Sequence, residues 1–274
     1  MSKDILRVAR KIRQFFVDWP IREGTVLNRR YKVCDVIGTG SYGIIYDCTD
    51  LHTEQKVAVK QLRPSRRSSR KEVAMFQNEM EIMKQLLHPN MPAIIENFSD
   101  DDQHLYYVMT FIGGENMEEQ IFTRQQSFSE EESLRVLEQL LQMVQYLHAK
   151  GIYHQDLRIP NILINDGVLY LIDFGLSVCK KEVSGTTSQS GFPRSIGQLR
   201  RQDYYDMGEI LLFLLYSDYT PKNKKALPWT EELTINHETV QLLKRLLGIT
   251  DPYTQTSEIA ADLQNAVSST SIGS

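Results

Sequence analysis

The chain has 274 residues, 41% of them apolar and 24% charged, which is enough apolar material for one large core or two lobes. Its formal net charge of −4 argues against nucleic-acid binding by the chain as a whole. Cys34, Cys48 and Cys179 are odd in number and lack metal-ligand spacing, and neither an apolar run of about 18 residues nor a signal-peptide pattern is visible. The expectation is therefore a reduced, cytoplasmic protein with no membrane span.

Residues 1–30 hold eight Lys/Arg against three Asp/Glu. Ile5, Ala9, Ile12, Phe16 and Trp19 recur at helical spacing, with Arg7, Arg10, Lys11 and Arg13 on the remaining faces, so the spacing predicts an amphipathic helix over 4–19 within an extension of residues 1–24. Two readings stay open for it: a helix packed on the next domain, or a basic helix in weak contact with an anionic membrane surface. Strand patterns follow at 31–37, 43–49 and 56–62, rich in Val, Ile and Tyr. Arg63 to Lys71 contains five basic residues and no acid, which reads as a solvated loop.

A helix is predicted over 72–87, with Val73, Phe76, Met80, Met83 and Leu87 on its buried stripe and Pro89 ending it. Strands at 94–98 and 104–110 would complete a five-stranded antiparallel sheet. After Gly113-Gly114 the chain turns helical. Ser129 and Glu132 form a capping box ahead of a stripe of Leu134, Leu137, Leu141, Val144 and Leu147. Helices at 203–216, 237–248 and 256–267 follow, and the polar stretch 268–274 reads as a disordered tail. No internal repeat is present. A small β lobe (25–112) followed by a helical lobe (113–267) suits a ligand held between them.

The chemistry is concentrated in His154-Gln155-Asp156-Leu157-Arg158-Ile159-Pro160-Asn161 and Asp173-Phe174-Gly175. The apolar runs Ile162-Leu163-Ile164 and Leu169-Tyr170-Leu171-Ile172 separate the two groups. Phosphoryl transfer needs one carboxylate to take a proton from the attacking hydroxyl, and an Asn and a second Asp to hold Mg²⁺ on the phosphates. Gly38-Thr39-Gly40-Ser41-Tyr42-Gly43 joins two predicted strands, not a strand and a helix, which favours a hairpin over phosphates and argues against a dinucleotide fold. Val57-Ala58-Val59-Lys60 lies seventeen residues beyond Gly43 at its lysine.

In this order and spacing, these motifs resemble those of the eukaryotic-like (Hanks-type) serine/threonine protein kinases. The resemblance implies an α+β, bilobal protein-kinase-like fold and an enzyme that uses ATP and Mg²⁺ to phosphorylate protein substrates and itself. It implies that Lys60 binds phosphate and that Glu79, on the following helix, fixes it; Glu81 would face elsewhere. Ala58 and Leu163 would lie against the adenine, with Ile45 and the glycine-rich loop also in the nucleotide site. Met109 would be the gatekeeper and Thr110-Phe111-Ile112 the hinge. Asp156 would be the base, Asn161 and Asp173 the Mg²⁺ ligands, and Arg158 the cation near the transferring phosphate. His154 would brace the loop.

The chain also departs from the pattern. Gln155 replaces an Arg that grips an activation-loop phosphate, and Arg158 replaces a Lys. No Ala-Pro-Glu triplet lies between Cys179 and Gln202, and Gln255 replaces the Arg that pairs with its Glu. Losing both partners of a buried ion pair is tolerable where losing one is not. The stretch 203–208, Asp-Tyr-Tyr-Asp-Met-Gly, resembles the start of the long buried helix of these enzymes. The segment around Lys222, Lys224 and Lys225 is short, so the substrate platform looks trimmed. A protein kinase not switched through its activation loop is the leading reading; a kinase of a small-molecule alcohol and a non-catalytic ATP-binding scaffold are the alternatives.

Overall fold

The computed structural model describes residues 17–40, 42–179, 194–220 and 227–272. The chain divides into two compact units, Met1–Ile112 and Gly113–Ser274.

Unit 1 is built on an antiparallel sheet. Its strands are β1 (Val26–Leu27), β2 (Tyr31–Thr39), β3 (Gly43–Asp50), β4 (Lys56–Leu62), β5 (Ile94–Ser99) and β6 (Leu105–Thr110), in the order β1-β2-β3-β4-β6-β5. The sheet therefore has six strands where five were expected; the extra β1 is two residues long and pairs with β2 through Leu27 and Tyr31. The pleat sends alternate side chains to opposite faces. Tyr31, Val33, Ile44, Tyr46, Val57, Val59, Tyr106 and Val108 form one buried cluster. The other face carries Ala58, Lys60 and Tyr107, and receives α1 (Arg70–Met83), whose Phe76 ring lies 5.0 Å from that of Tyr107. Ser69 caps α1 by accepting from the Glu72 N–H. The helix stops at Met83, well before Pro89, and Leu87 is 88% exposed instead of buried.

Unit 2 is mainly helical. After the short β7 (Glu115–Asn116) come α2 (Met117–Phe122) and α3 (Glu130–Ala149), with the Ser129/Glu132 capping box and the whole expected stripe buried. The β8 strand (Ile152–Tyr153) pairs with β11 (Val178–Cys179), and β9 (Ile162–Asn165) forms a hairpin with β10 (Val168–Leu171). The long helix α4 spans Ile196–Ser217, seven residues earlier at its start than the sequence periodicity indicates, and opens on a second capping box of Ser195 and Gln198. Then follow α5 (Trp229–Glu232), α6 (His237–Leu246) and α7 (Thr256–Ile272). The helix expected over 237–248 is thus two residues shorter. The disordered tail expected from Ser268 is instead helical through Ile272, because α7 packs on α3 and α6 with Ile259, Leu263 and Ala266 buried.

The α4 and α6 helices approach closely at Gly208. A Cβ there would meet Leu246 Cβ at 2.9 Å, so only glycine fits without moving a helix. In the region of the replaced ion pair, Arg245 binds Asp262 at 2.6 Å and Glu258 at 3.0 Å, and its guanidinium stacks 3.9 Å over the Tyr253 ring. These contacts are local to the C-terminal part of unit 2.

Candidate active site

In unit 1, the register of β3, β4 and β6 pairs Ile45 with Lys60, Ala58 with Met109 and Lys60 with Tyr107, which puts Ile45, Ala58, Lys60 and Met109 on the face that receives α1. Lys60 Nζ reaches Glu79 Oε1 at 2.6 Å, and both residues are buried. A flexible ammonium is thereby held in one position. Glu79, not Glu81, is the partner; Glu81 pairs instead with Lys84 on the surface.

Gly43 explains part of the glycine-rich pattern. A Cβ there would lie 3.0 Å from both Gln61 O and Lys60 Cε, so a side chain at this position would push on the lysine stem. Gly38 and Thr39 end β2, Gly40 and Tyr42 flank the turn, and Ser41 lies outside the described residues. Arg63 ties the turn down. Its backbone N–H donates to Tyr42 O at 3.0 Å and its Nε to Gly40 O at 2.7 Å. Thr110 closes β6 by exchanging backbone and side-chain bonds with Ala93; Phe111 and Ile112 follow, and Lys56 Nζ sits 5.0 Å over the Phe111 ring.

In unit 2, the segment after β8 leaves the strand, so its backbone N–H groups need other acceptors. Helix α4 supplies them. Asp203, fully buried, accepts from His154 N at 3.1 Å, Gln155 N at 2.8 Å and Gln155 Nε2 at 3.0 Å, and lies 2.7 Å from His148 Nε2. Asp206 accepts from Leu157 N at 3.3 Å. Asp203 is mid-helix, not at the helix start as the sequence reading placed it. Gln155 adopts φ +65° and uses its amide to reach Leu199 O at 2.8 Å, while Arg194 donates to its Oε1. A carboxamide thus joins the loop to α4 without any phosphate.

Asp156 is half-buried, and Asn161 Nδ2 donates to both its backbone O and its Oδ2, at 2.9 and 3.1 Å. Asn161 ends a 3-10 turn begun by Ile159 and Pro160, and its carbonyl accepts from Ile172 N. Arg158, largely exposed, leans on Asp156 with Nε 3.3 Å from Oδ2. Asp173 is exposed at φ +65°, and its Oδ1 accepts from Gly175 N. Leu163 is half-buried on β9. His154 is buried against the Phe174 ring, 5.1 Å away and edge-on, and burial pushes its pKa down, so it stays neutral. Burial, aided by repulsion from Asp203 and Glu209, pushes Asp206 up to about 6. The oxygen donors of Asn161 and Asp173 are the hard type that suits Mg²⁺.

The sequence reading missed Asp206, Arg63 and Arg194, as well as the acceptor role of Asp203. Two acids three residues apart on a helix with an otherwise apolar buried face were the available signal for Asp203 and Asp206.

Unit 1 thus holds a buried Lys–Glu pair beside a glycine-rich turn, and unit 2 holds a loop that fixes an Asp through an Asn. Residues 31–196 match the protein kinase domain. The chain is 43% identical over 258 residues to a probable serine/threonine-protein kinase, YbdM, of Bacillus subtilis, covering 94% of this chain and 97% of that one. It is 31% identical over 204 residues to calcium-dependent protein kinase 8 of Arabidopsis thaliana, covering 70% of this chain and 38% of that one. It is 30% identical over 152 residues to the human NUAK family SNF1-like kinase 1, covering 55% and 23%. The chain belongs to the protein kinase family and is a serine/threonine protein kinase. Protein kinases use ATP and Mg²⁺ to phosphorylate proteins. Among the described residues, no helix is long and apolar enough to cross a membrane.

Proposed function

We propose that Lys60, fixed by Glu79, binds the phosphates of ATP, and that Asp156 orients the hydroxyl of a Ser or Thr and accepts its proton as the oxygen attacks the γ-phosphorus and ADP departs. The observation that carries this is the buried 2.6 Å Lys60–Glu79 pair on the strand face shared with Ala58 and Met109. Gly38 to Gly43 supply backbone N–H groups to the phosphates, and Ile45, Ala58, Met109, Thr110, Phe111, Ile112 and Leu163 hold the adenosine. Asn161 and Asp173 would hold Mg²⁺, which neutralises phosphate charge when bound. Arg158 leaves Asp156 to meet the transferring phosphoryl group.

Autophosphorylation is part of the same reading, with the Ser/Thr stretch 184–190, outside the described residues, as acceptor. Because the Gln155 amide already joins the loop to α4, activity does not require that modification. We place the reaction in the cytoplasm, supported by the ATP requirement and the free thiols of Cys34, Cys48 and Cys179. The expected helix over 4–19 lies outside the described residues up to residue 16; its basic residues support a weak contact with an anionic membrane surface. Sedimentation with anionic vesicles tests that contact, and retention unchanged by deletion of residues 1–16 removes it.

The main test is incubation of the chain with Mg²⁺ and labelled ATP, alone and with a generic protein acceptor, alongside Asp156→Asn. Label on wild type and acceptor, absent with the variant, is the expected result. Equal labelling by the variant would overturn the role of Asp156.

A further inference from the structure

The region matching the protein kinase domain begins at residue 31, yet the segment ahead of it is wired to the glycine-rich turn. Asp18 is 6% exposed. Its Oδ1 accepts from Ser65 N at 2.9 Å, its Oδ2 from Ser65 Oγ at 2.8 Å, and Arg63 Nη1 lies 3.5 Å from the same Oδ2. With both oxygens engaged, Asp18 is itself fixed, and it meets the guanidinium at Nη1. Arg63 then points its Nε at Gly40 O, 2.7 Å away, while its backbone N–H holds Tyr42 O. The two bonds hold the backbone at Gly40 and at Tyr42. A planar guanidinium can serve a carboxylate and a carbonyl in fixed directions at once, which an ammonium cannot do.

A second thread runs from the same segment. Ile21 N donates to Tyr46 Oη at 3.2 Å, Tyr46 donates to Gln61 Oε1 at 2.8 Å, and Gln61 Nε2 donates to Tyr106 Oη at 3.0 Å. Gln61 neighbours Lys60 on β4. Residues 18–21 are thus joined to the turn and to the strand that carries the phosphate-binding lysine.

We infer that Asp18 and Arg63 form a strut that sets the position of the glycine-rich turn at Gly40 and Tyr42, so that the segment preceding the kinase domain governs affinity for the nucleoside triphosphate. Arg63 is a positioning residue: it acts through Gly40 and Tyr42, not on the phosphates. The consequence for nucleotide affinity rests on the reading that this turn covers the phosphates of ATP. The strut itself does not depend on that reading.

The test uses the full chain and two readouts. Without nucleotide, hydrogen exchange of the amides of residues 40–43 is compared in wild type, Asp18→Asn, Arg63→Met and the double variant. Loss of the strut should speed exchange there about tenfold, with exchange in α4 unchanged as the control. Because the two residues act as one device, the double variant should exchange no faster than Arg63→Met alone. Exchange unchanged in Arg63→Met, or strictly additive effects, would overturn the strut. With Mg²⁺ and ATP, the same variants should raise KM for ATP about 5- to 20-fold while kcat changes less than about threefold, and Arg63→Lys should recover part of the loss. A kcat loss at unchanged KM would overturn the claim on affinity. A wild-type chain that fails to bind ATP would instead defeat the nucleotide reading, with the exchange result still deciding the strut.

Discussion

Replacing Asp206 by Asn should stabilise the protein at neutral pH. The carboxyl is 7% exposed, sits three residues from Asp203 on α4, and has its pKa pushed up from 3.8 to about 6, first by burial and then by repulsion from Asp203 and Glu209. The sign follows from proton uptake. Between about pH 4 and 6 the folded chain holds a proton at Asp206 that the unfolded chain has released, so stability falls as pH rises through that window and stays reduced above it. A shift of this size corresponds to about 3 kcal/mol at pH 7. Residual solvent screening reduces the expected gain to about 1–2 kcal/mol. Asn keeps an oxygen for the Leu157 N–H, and Gln202, whose Nε2 donates to Asp206 at 2.7 Å, can turn its amide and accept instead. Thermal melts from pH 4 to 8 should show the variant level with wild type at pH 4 and about 2–6 °C more stable at pH 7.5. A variant less stable than wild type at pH 7.5, or a gain independent of pH, would refute the reasoning.

The same change three residues earlier should do the opposite. Asp203→Asn replaces an acceptor with a donor facing at least one buried backbone N–H, and should cost about 2–4 kcal/mol, read as a lower urea midpoint. Lys60→Met should abolish label transfer from ATP while leaving the far-UV spectrum unchanged; retained turnover would count against the assigned role. Gly208→Ala forces a methyl to 2.9 Å from Leu246 Cβ, and after the helix preference of Ala is counted the net loss should be about 1–2 kcal/mol in thermal or urea unfolding.

Strand β4 falls on the same residues, 56–62, in the sequence pattern and in the structure, because Val57 and Val59 alternate with Ala58 and Lys60 and supply the β-branched side chains of one sheet face. The pairing of Lys60 with Glu79 was legible through the family resemblance, which implies a Glu on the helix after the lysine strand, with helix phase turning Glu81 elsewhere. The first turns of α4 were not: Gly197, Arg200, Arg201 and Gln202 break the apolar period, and only Ser195 and Gln198 mark the start with a capping pattern. The end of α7 was hidden for a different reason. Ser268, Ser269 and Thr270 read as tail by composition, but Thr270 is buried by packing that no local pattern reports. Leu87 kept the helical period of α1 beyond the point where the backbone leaves the helix. Contacts such as Asp18 to Arg63, or Gln155 to Asp203, join residues tens of positions apart, and a single sequence holds no record of them.

The position of α7 also bears on the order in which the chain folds during synthesis. The last strand of the unit 1 sheet ends at Thr110, so that sheet has all its members while most of the chain is still to be made. Unit 2 has no such early closure. Its central helix α3 forms early in the sequence but is covered by α4 and by α7, the last of which ends at Ile272. Until that segment leaves the ribosome, the apolar stripe from Leu134 to Leu147 has no complete cover, and at about 5–20 residues per second the exposure lasts about 6–25 seconds. Unit 2 should therefore be the part of the molecule that depends on chaperones, and the part where a truncated or stalled chain aggregates.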